Sequence, residues 1–236
     1  DIQPGLGPDV VGGSWCPHDG HVNPLYLLRS LHNCFLSRNG RLLHDAEVFD
    51  INHRECVFDV FSRKGQFQAP CLVLAAGLGN RKLAPLIGLK QPVRPQKGQI
   101  LVTQKIDKLI EVPMTLLRQT AEGSIMIGDS KEEVGFDTSS SIDIMAQIAD
   151  RARRTLPVLE KQQIIRSWAA LRVMSPDGFP MYDQSESCPG GFAITCHSGV
   201  TLAAAHCFDM AADIEAGNFS VGLQAFTERR FDVSTH

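Results

Sequence analysis

Apolar positions recur at helical spacing from Pro24 to Ser37, where Leu25, Leu28, Leu31, Cys34 and Phe35 form one stripe. Asn23 stands just before it, Pro24 occupies the first turn and Asn39-Gly40 follows, so the spacing predicts a helix with both ends specified. From Arg41 the period changes to alternation. Leu43 to Ile51 and Cys56 to Phe61 read as short strands joined near Asn52-His53, with a turn at Lys64-Gly65, a small antiparallel meander. Cys71 to Ala75 is an unbroken apolar run ending in Ala76-Gly77 and followed by a helical stretch to Leu86, which is how a buried strand of an α/β sheet enters a helix.

After Gly88 the pattern predicts strands at Gln99 to Thr103, Pro113 to Arg118, Ser124 to Gly128 and Ile164 to Leu171. One amphipathic helix, Ile142 to Leu156, precedes Pro157. Phe192 to Thr195 is a short apolar strand, followed by His197-Ser198-Gly199 and an Ala-rich helix from Thr201 to Ile214, ended at Gly217. The charged tail beyond Phe226 is expected at the surface. With no internal repeat and no low-complexity linker, two domains would have to interleave rather than follow each other.

At 236 residues and 43% hydrophobic, the chain can bury one sizeable core or two modest ones. Its net charge of -3 comes with basic residues spread singly, Arg151, Arg153 and Arg154 being the densest group, so no electrostatic footprint for nucleic acid exists. The longest uncharged apolar stretch, Gly191 to Cys207, is broken by His197, Ser198 and His206 and falls short of the ~20 apolar residues of a membrane span. The chain opens with neither Met nor a charged region followed by an apolar one, and Asp1 reads as a cut end. Seven scattered cysteines without a C-x-x-C pair fit reduced thiols in the cytoplasm better than a disulfide framework or a zinc site.

Four segments carry candidate chemistry. Gly5-Leu6-Gly7 has the spacing of a dinucleotide fingerprint, but no strand precedes it. Gly77-Leu78-Gly79 does follow a strand, yet Lys82 stands at the third glycine position and no acidic residue closes a second strand, so a primary Rossmann turn fails. A backbone contact to a cofactor and a plain strand-helix turn both remain open there. Arg172 is a lone cation amid apolar residues. Its guanidinium cannot shed its charge and needs an anion when buried, and composition alone favours a protein carboxylate. Cys196 to Thr201 lies between a strand and a helix start, where free N–H groups suit an anion or the electron-rich edge of a reduced flavin; His197 alone reads as a cap or core histidine.

In order along the chain, Gly12 to Pro24, Val73 to Gly77, Pro92 to Gln99, Trp168 to Pro180 and Cys196 to Leu202 resemble the D-amino-acid oxidase and glycine oxidase family of FAD-dependent oxidoreductases. The runs Leu171 to Tyr182 and Thr195 to His206 look most like bacterial hydroxyproline, proline and opine dehydrogenase subunits. The resemblance implies an α/β (α+β) architecture in which a flavin domain, 23–87 and 181–236, interleaves with an antiparallel-sheet substrate domain, 1–22 and 88–180. The family's N-terminal βαβ unit has no match in this sequence, so alone the chain is expected to hold FAD poorly or to be inactive.

By the same resemblance Arg172 would hold a substrate carboxylate and Val48 would meet the adenine through its backbone. Ala76 and Gly77 would lie beside the cofactor, and His197, Ser198, Gly199, Val200, Thr201 and Leu202 would line the pyrimidine side of the flavin ring. The implied reaction is oxidation of the CH-NH bond of an amino acid or secondary amine by hydride transfer from Cα to flavin N5. The imine product is then hydrolysed. FAD would be noncovalent, since no cysteine takes a place for attachment. A partner subunit, or the missing N-terminal segment, would complete the protein. The competing reading is a cofactor-free fragment or subunit serving as a binding or assembly module. A nicotinamide-dependent dehydrogenase is disfavoured by the incomplete glycine pattern.

Overall fold

The computed structural model describes residues 2–232. Helix α1 (Pro24–Ser37) is followed by strands β1 (Val48–Arg54), β2 (Val57–Ser62), β3 (Gly65–Ala69) and β4 (Leu72–Leu74), then the short helix α2 (Asn80–Leu83). Next come β5 (Arg94–Lys105), β6 (Leu117–Gln119), β7 (Ser124–Ile127), helix α3 (Ile142–Thr155), β8 (Ile164–Met174), β9 (Met181–Gln184) and β10 (Gly191–Thr195). The helical segments α4 (Ala203–Ala205) and α5 (Ala211–Glu215) flank a π-helical turn at His206–Met210.

The chain forms two compact units, and it alternates between them. One takes the chain up to Cys34 together with Gln96–Arg172; the other takes Phe35–Pro95 and the chain from Val173 onward. The crossings fall at 34/35, 95/96 and 172/173, against the expected 22/23, 87/88 and 180/181. Two of them lie inside the long strands β5 and β8, so no turn chemistry marks them in the sequence.

In the first unit the sheet order is β6-β7-β5-β8, with β7 antiparallel to both β5 and β6. Leu101, Leu117, Ile125 and Ile127 from the sheet pack with Ile148 and Ala152 of α3 and with Leu156, all close to fully buried. The apolar face of α3 thus closes the core that its periodicity foretold. The predicted β5 was too short because its ends carry polar side chains; Lys97, Gln99 and Thr103 are all buried, each with hydrogen-bond partners. Gly5-Leu6-Gly7 is a packing device: Gly5 turns at φ 76°, and Gly7 approaches the backbone of Arg154 so closely that no side chain fits.

Helix α1 has the predicted bounds. The Asn23 carboxamide oxygen accepts from the N–H groups of Leu25 (3.1 Å) and Tyr26 (3.4 Å), capping it, and Asn39 at φ 64° ends it.

In the second unit β1, β2 and β3 form an antiparallel meander. The hairpin between β1 and β2 turns at Glu55-Cys56, both with positive φ, and not at Asn52-His53. Those two residues remain in the strand, where the His53 ring packs 4.5 Å from that of its cross-strand partner Phe58. The strand also begins later than expected, at Val48, because the chain turns at Asp45. A second sheet has the order β4-β10-β9, with β4 parallel and β9 antiparallel to β10. Ile51, Phe58, Leu74, Ile87 and Ala193 form one core shared by both sheets.

The helix expected from Thr201 to Ile214 starts at Ala203 and is interrupted by the π turn, where Tyr182 Oη and His206 Nε2 lie 2.9 Å apart. The tail is docked rather than merely superficial. Arg230 pairs with Asp177 (2.8 and 3.0 Å) in the turn predicted at Pro176 to Pro180.

A candidate cofactor edge and a candidate substrate arginine

Because β4 and β10 are parallel neighbours, with Leu74 opposite Ala193, their carboxyl ends lie side by side. Such ends are where open α/β sheets place ligands. The residues that follow are Ala76 and Gly77 after β4, and His197 to Leu202 after β10. The structure therefore brings eight of the nine expected cofactor residues to one sheet edge. The ninth, Val48, starts β1 opposite Ser62, beside a register shift, and packs against the core containing Leu74 and Ala193.

The edge is exposed and rich in free donors. Ala76 and His197 to Thr201 are solvent-exposed. The Leu202 N–H returns to the Ser198 carbonyl (3.0 Å) and the Ala203 N–H to that of Val200 (3.3 Å). Among the described residues, the N–H groups of Gly199, Val200 and Thr201 have no acceptor. His197 Nδ1 lies 3.2 Å from the Ser198 hydroxyl, a local contact rather than a core role. Gly77 turns the chain at φ 57°, a conformation that favours glycine, and a Cβ there would lie 3.3 Å from Val173 Cγ2. Three consecutive unpaired N–H groups opposite exposed backbone fit the electron-rich edge of a flavin ring.

One residue, missed in the sequence, holds this edge together. Asn80 is fully buried; its carboxamide oxygen accepts from Ala76 N–H (3.0 Å). Its NH₂ group donates to the carbonyls of Leu74 (3.0 Å) and Ile194 (3.2 Å) and to Thr195 Oγ1 (2.7 Å). An Asn directly after Gly77-Leu78-Gly79 was the available signal, since such side chains bond nearby backbone. Nearby, burial pushes the Cys196 thiol up and the Tyr182 hydroxyl up to about 12, so both stay protonated at neutral pH. All seven cysteines are free thiols.

Arg172 belongs to the first unit, at the end of its share of β8. Its Nη1 donates to the carbonyls of Ser130 (3.0 Å) and Lys97 (3.3 Å), and its Nη2 meets the Asp129 carboxylate. The guanidinium lies flat against Gly98, where a Cβ would come within 2.6 Å of Cζ. The protein carboxylate that composition favoured is therefore present, while Nε and one Nη2 hydrogen have no partner among the described residues.

The carbonyls that grip Arg172 are anchored in turn. Lys97 Nζ, nearly inaccessible, meets Asp137 (2.9 Å), the Ser139 carbonyl (3.1 Å) and Glu132 (3.2 Å). Ser130 Oγ accepts from the Gln99 N–H (2.9 Å) and donates to Glu132 (2.5 Å). The Ser139 N–H, then Lys97, holds the Asp137 carboxyl down at about 2. Asp129 gave no sequence signal, because it lies 43 positions from Arg172 and the contact exists only once the sheet forms, while Gly98 stood in the Pro92 to Gln99 run with no role read for it. Among the described residues no helix is long and apolar enough to cross a membrane.

A family model described as FAD dependent oxidoreductase matches residues 1–212. An opine oxidase subunit of Rhizobium meliloti is 43% identical over 237 residues, covering 98% of this chain and 62% of that protein. Its counterpart from Agrobacterium tumefaciens is 43% identical over 227 residues, covering 96% and 61%, so the chain spans about three fifths of the length of these curated relatives. Among solved structures, L-proline dehydrogenase from P. horikoshii matches with a TM-score of 0.84 at 22% identity, over 92% of this chain and 62% of that one. Glycine oxidase from Geobacillus kaustophilus matches with a TM-score of 0.82 at 23% identity, over 93% and 60%. At such identity these two establish the fold.

Proposed function

From the premise that this chain belongs to the FAD dependent oxidoreductase family, we propose that it is the substrate-binding and flavin-ring-binding part of an enzyme that oxidises amino acids or secondary amines. The observation that carries the reading is the convergence of Ala76-Gly77 and the open N–H groups of Gly199 to Thr201 at the ends of two parallel strands. The substrate class rests on the likeness to the opine oxidases, and their naming as subunits supports a partner chain.

FAD, when bound, supplies the two-electron acceptor for oxidation of the carbon–nitrogen bond. The chain's own residues bind and orient. Arg172 offers its Nε side to the substrate carboxylate, whose two oxygens a guanidinium fork can take together. Gly199, Val200 and Thr201, whose N–H groups are open among the described residues, would hold the electron-rich edge of a bound flavin and supply donors for the charge it gains on reduction. Gly77, at φ 57°, would offer backbone rather than a side chain to a bound flavin. Val48 would hold the adenine end through its backbone, with FAD bound noncovalently.

The test is FAD binding, read by quenching of flavin fluorescence, in a protein spanning the full length of its relatives. The wild type binds FAD. Gly77→Val, which strains a positive φ and places a branched side chain on the ring face, weakens binding at least tenfold. Equal affinity for both proteins would move the cofactor elsewhere.

A further inference from the structure

The guanidinium expected to receive a substrate carboxylate already carries one. Asp129 meets Arg172 Nη2, and both side chains are only partly exposed, 35% and 22%. The two Nη1 contacts to carbonyls and the flat seat on Gly98 keep the guanidinium from swinging away from Asp129. A bare carboxylate arriving at the Nε side therefore meets an ion pair of zero net charge, and its own charge lies near that of Asp129. A ligand with a cationic nitrogen close to its carboxylate meets two complementary charges instead.

We infer that Asp129 is a specificity-determining residue that selects carboxylates bearing a cationic nitrogen one or two bonds away, as in α-amino acids and their N-alkyl derivatives, over carboxylates of the same skeleton without it. The inference rests on the reading of Arg172 as the carboxylate anchor. Recognition is by difference: the resident carboxylate penalises the wrong ligand as well as attracting the right one. Asp129 is not needed to position Arg172, which the Ser130 and Lys97 carbonyls hold from the other side.

The test uses anaerobic calorimetric titration of the FAD-loaded protein, reduced beforehand so that no ligand is oxidised, at fixed ionic strength and pH 7.5, with proline against cyclopentanecarboxylate and alanine against propionate. The wild type prefers the nitrogen-bearing member of each pair. Asp129→Asn, nearly isosteric, cuts that preference about tenfold, ~1.4 kcal/mol, chiefly by improving affinity for the plain acid. Should the Asn variant not fold, as judged by thermal melting, Asp129→Ser serves with the same expectation. A preference unchanged in the variant, or equal weakening of both members, overturns the inference and leaves Asp129 a structural partner. Arg172→Ala separates the two levels: if it leaves the affinities of all four acids unchanged, the carboxylate anchor itself is misassigned.

Discussion

Replacing Asn80 with Ala should loosen the candidate cofactor edge specifically, because this side chain ties the turn after β4 to the end of β10. It makes four hydrogen bonds at 2.7 to 3.2 Å from a fully buried position. Removing one partner from a buried polar group costs ~1–3 kcal/mol. The freed groups will recover some bonds by relaxation or with water, so the sum is roughly 3–5 kcal/mol rather than four full penalties. The effect is local and calls for a local readout. Amide hydrogen exchange in Leu72–Leu74 and Gly191–Thr195 should lose roughly two to three orders of magnitude of protection, following 1.4 kcal/mol per tenfold. Trp15 and Trp168 both lie in the first unit, so their fluorescence during urea unfolding is an internal reference expected to change little. A loss of protection under about tenfold would refute the reasoning, since the clamp would then carry little energy.

Gly98→Ala places a methyl group within 2.6 Å of Arg172 Cζ and should raise KM for carboxylate substrates by roughly tenfold or more while amines without a carboxylate are spared, which steady-state kinetics checks. Asp183 is buried, and desolvation first of all lifts its carboxyl to about 6 from 3.8. Its folded-state value is the higher one, so its contribution is fully present below about pH 4 and is lost as pH rises through about 6, by ~2–3 kcal/mol at most. Urea midpoints at pH 5 and 7.5 should show about half of that fall, ~1–1.5 kcal/mol, in the wild type and a smaller one in Asp183→Asn, whose amide can pair with the otherwise unpartnered Gln91 Oε1. Identical slopes would exclude Asp183 as the source.

Much of the fold was legible because local chemistry agreed with it. Helix α1 announced itself by Asn23, Pro24 and the Asn39-Gly40 stop, and α3 by its apolar stripe. The failures share a physical cause. His53 looked like turn chemistry until Phe58 supplied a ring to pack on, and β9 escaped notice as four residues buried by β10 beside it and by His206 and Phe226 from far along the chain. At the candidate site, the loops after β4 and β10 were readable as strand ends, but their adjacency is a property of sheet order, not of sequence distance. Arg172 could be read as needing an anion, whereas Asp129 could be identified only by tertiary structure.

The central claim is tested most directly by anaerobic titration of the FAD-loaded protein with proline and a panel of other amino acids and secondary amines, following absorbance in the flavin bands. At least one substrate of this class should bleach the wild type, and Arg172→Ala should need a far higher concentration of the same compound to do so. Flavin that stays oxidised with every member of the panel, or bleaches at equal concentration in both proteins, would contradict it.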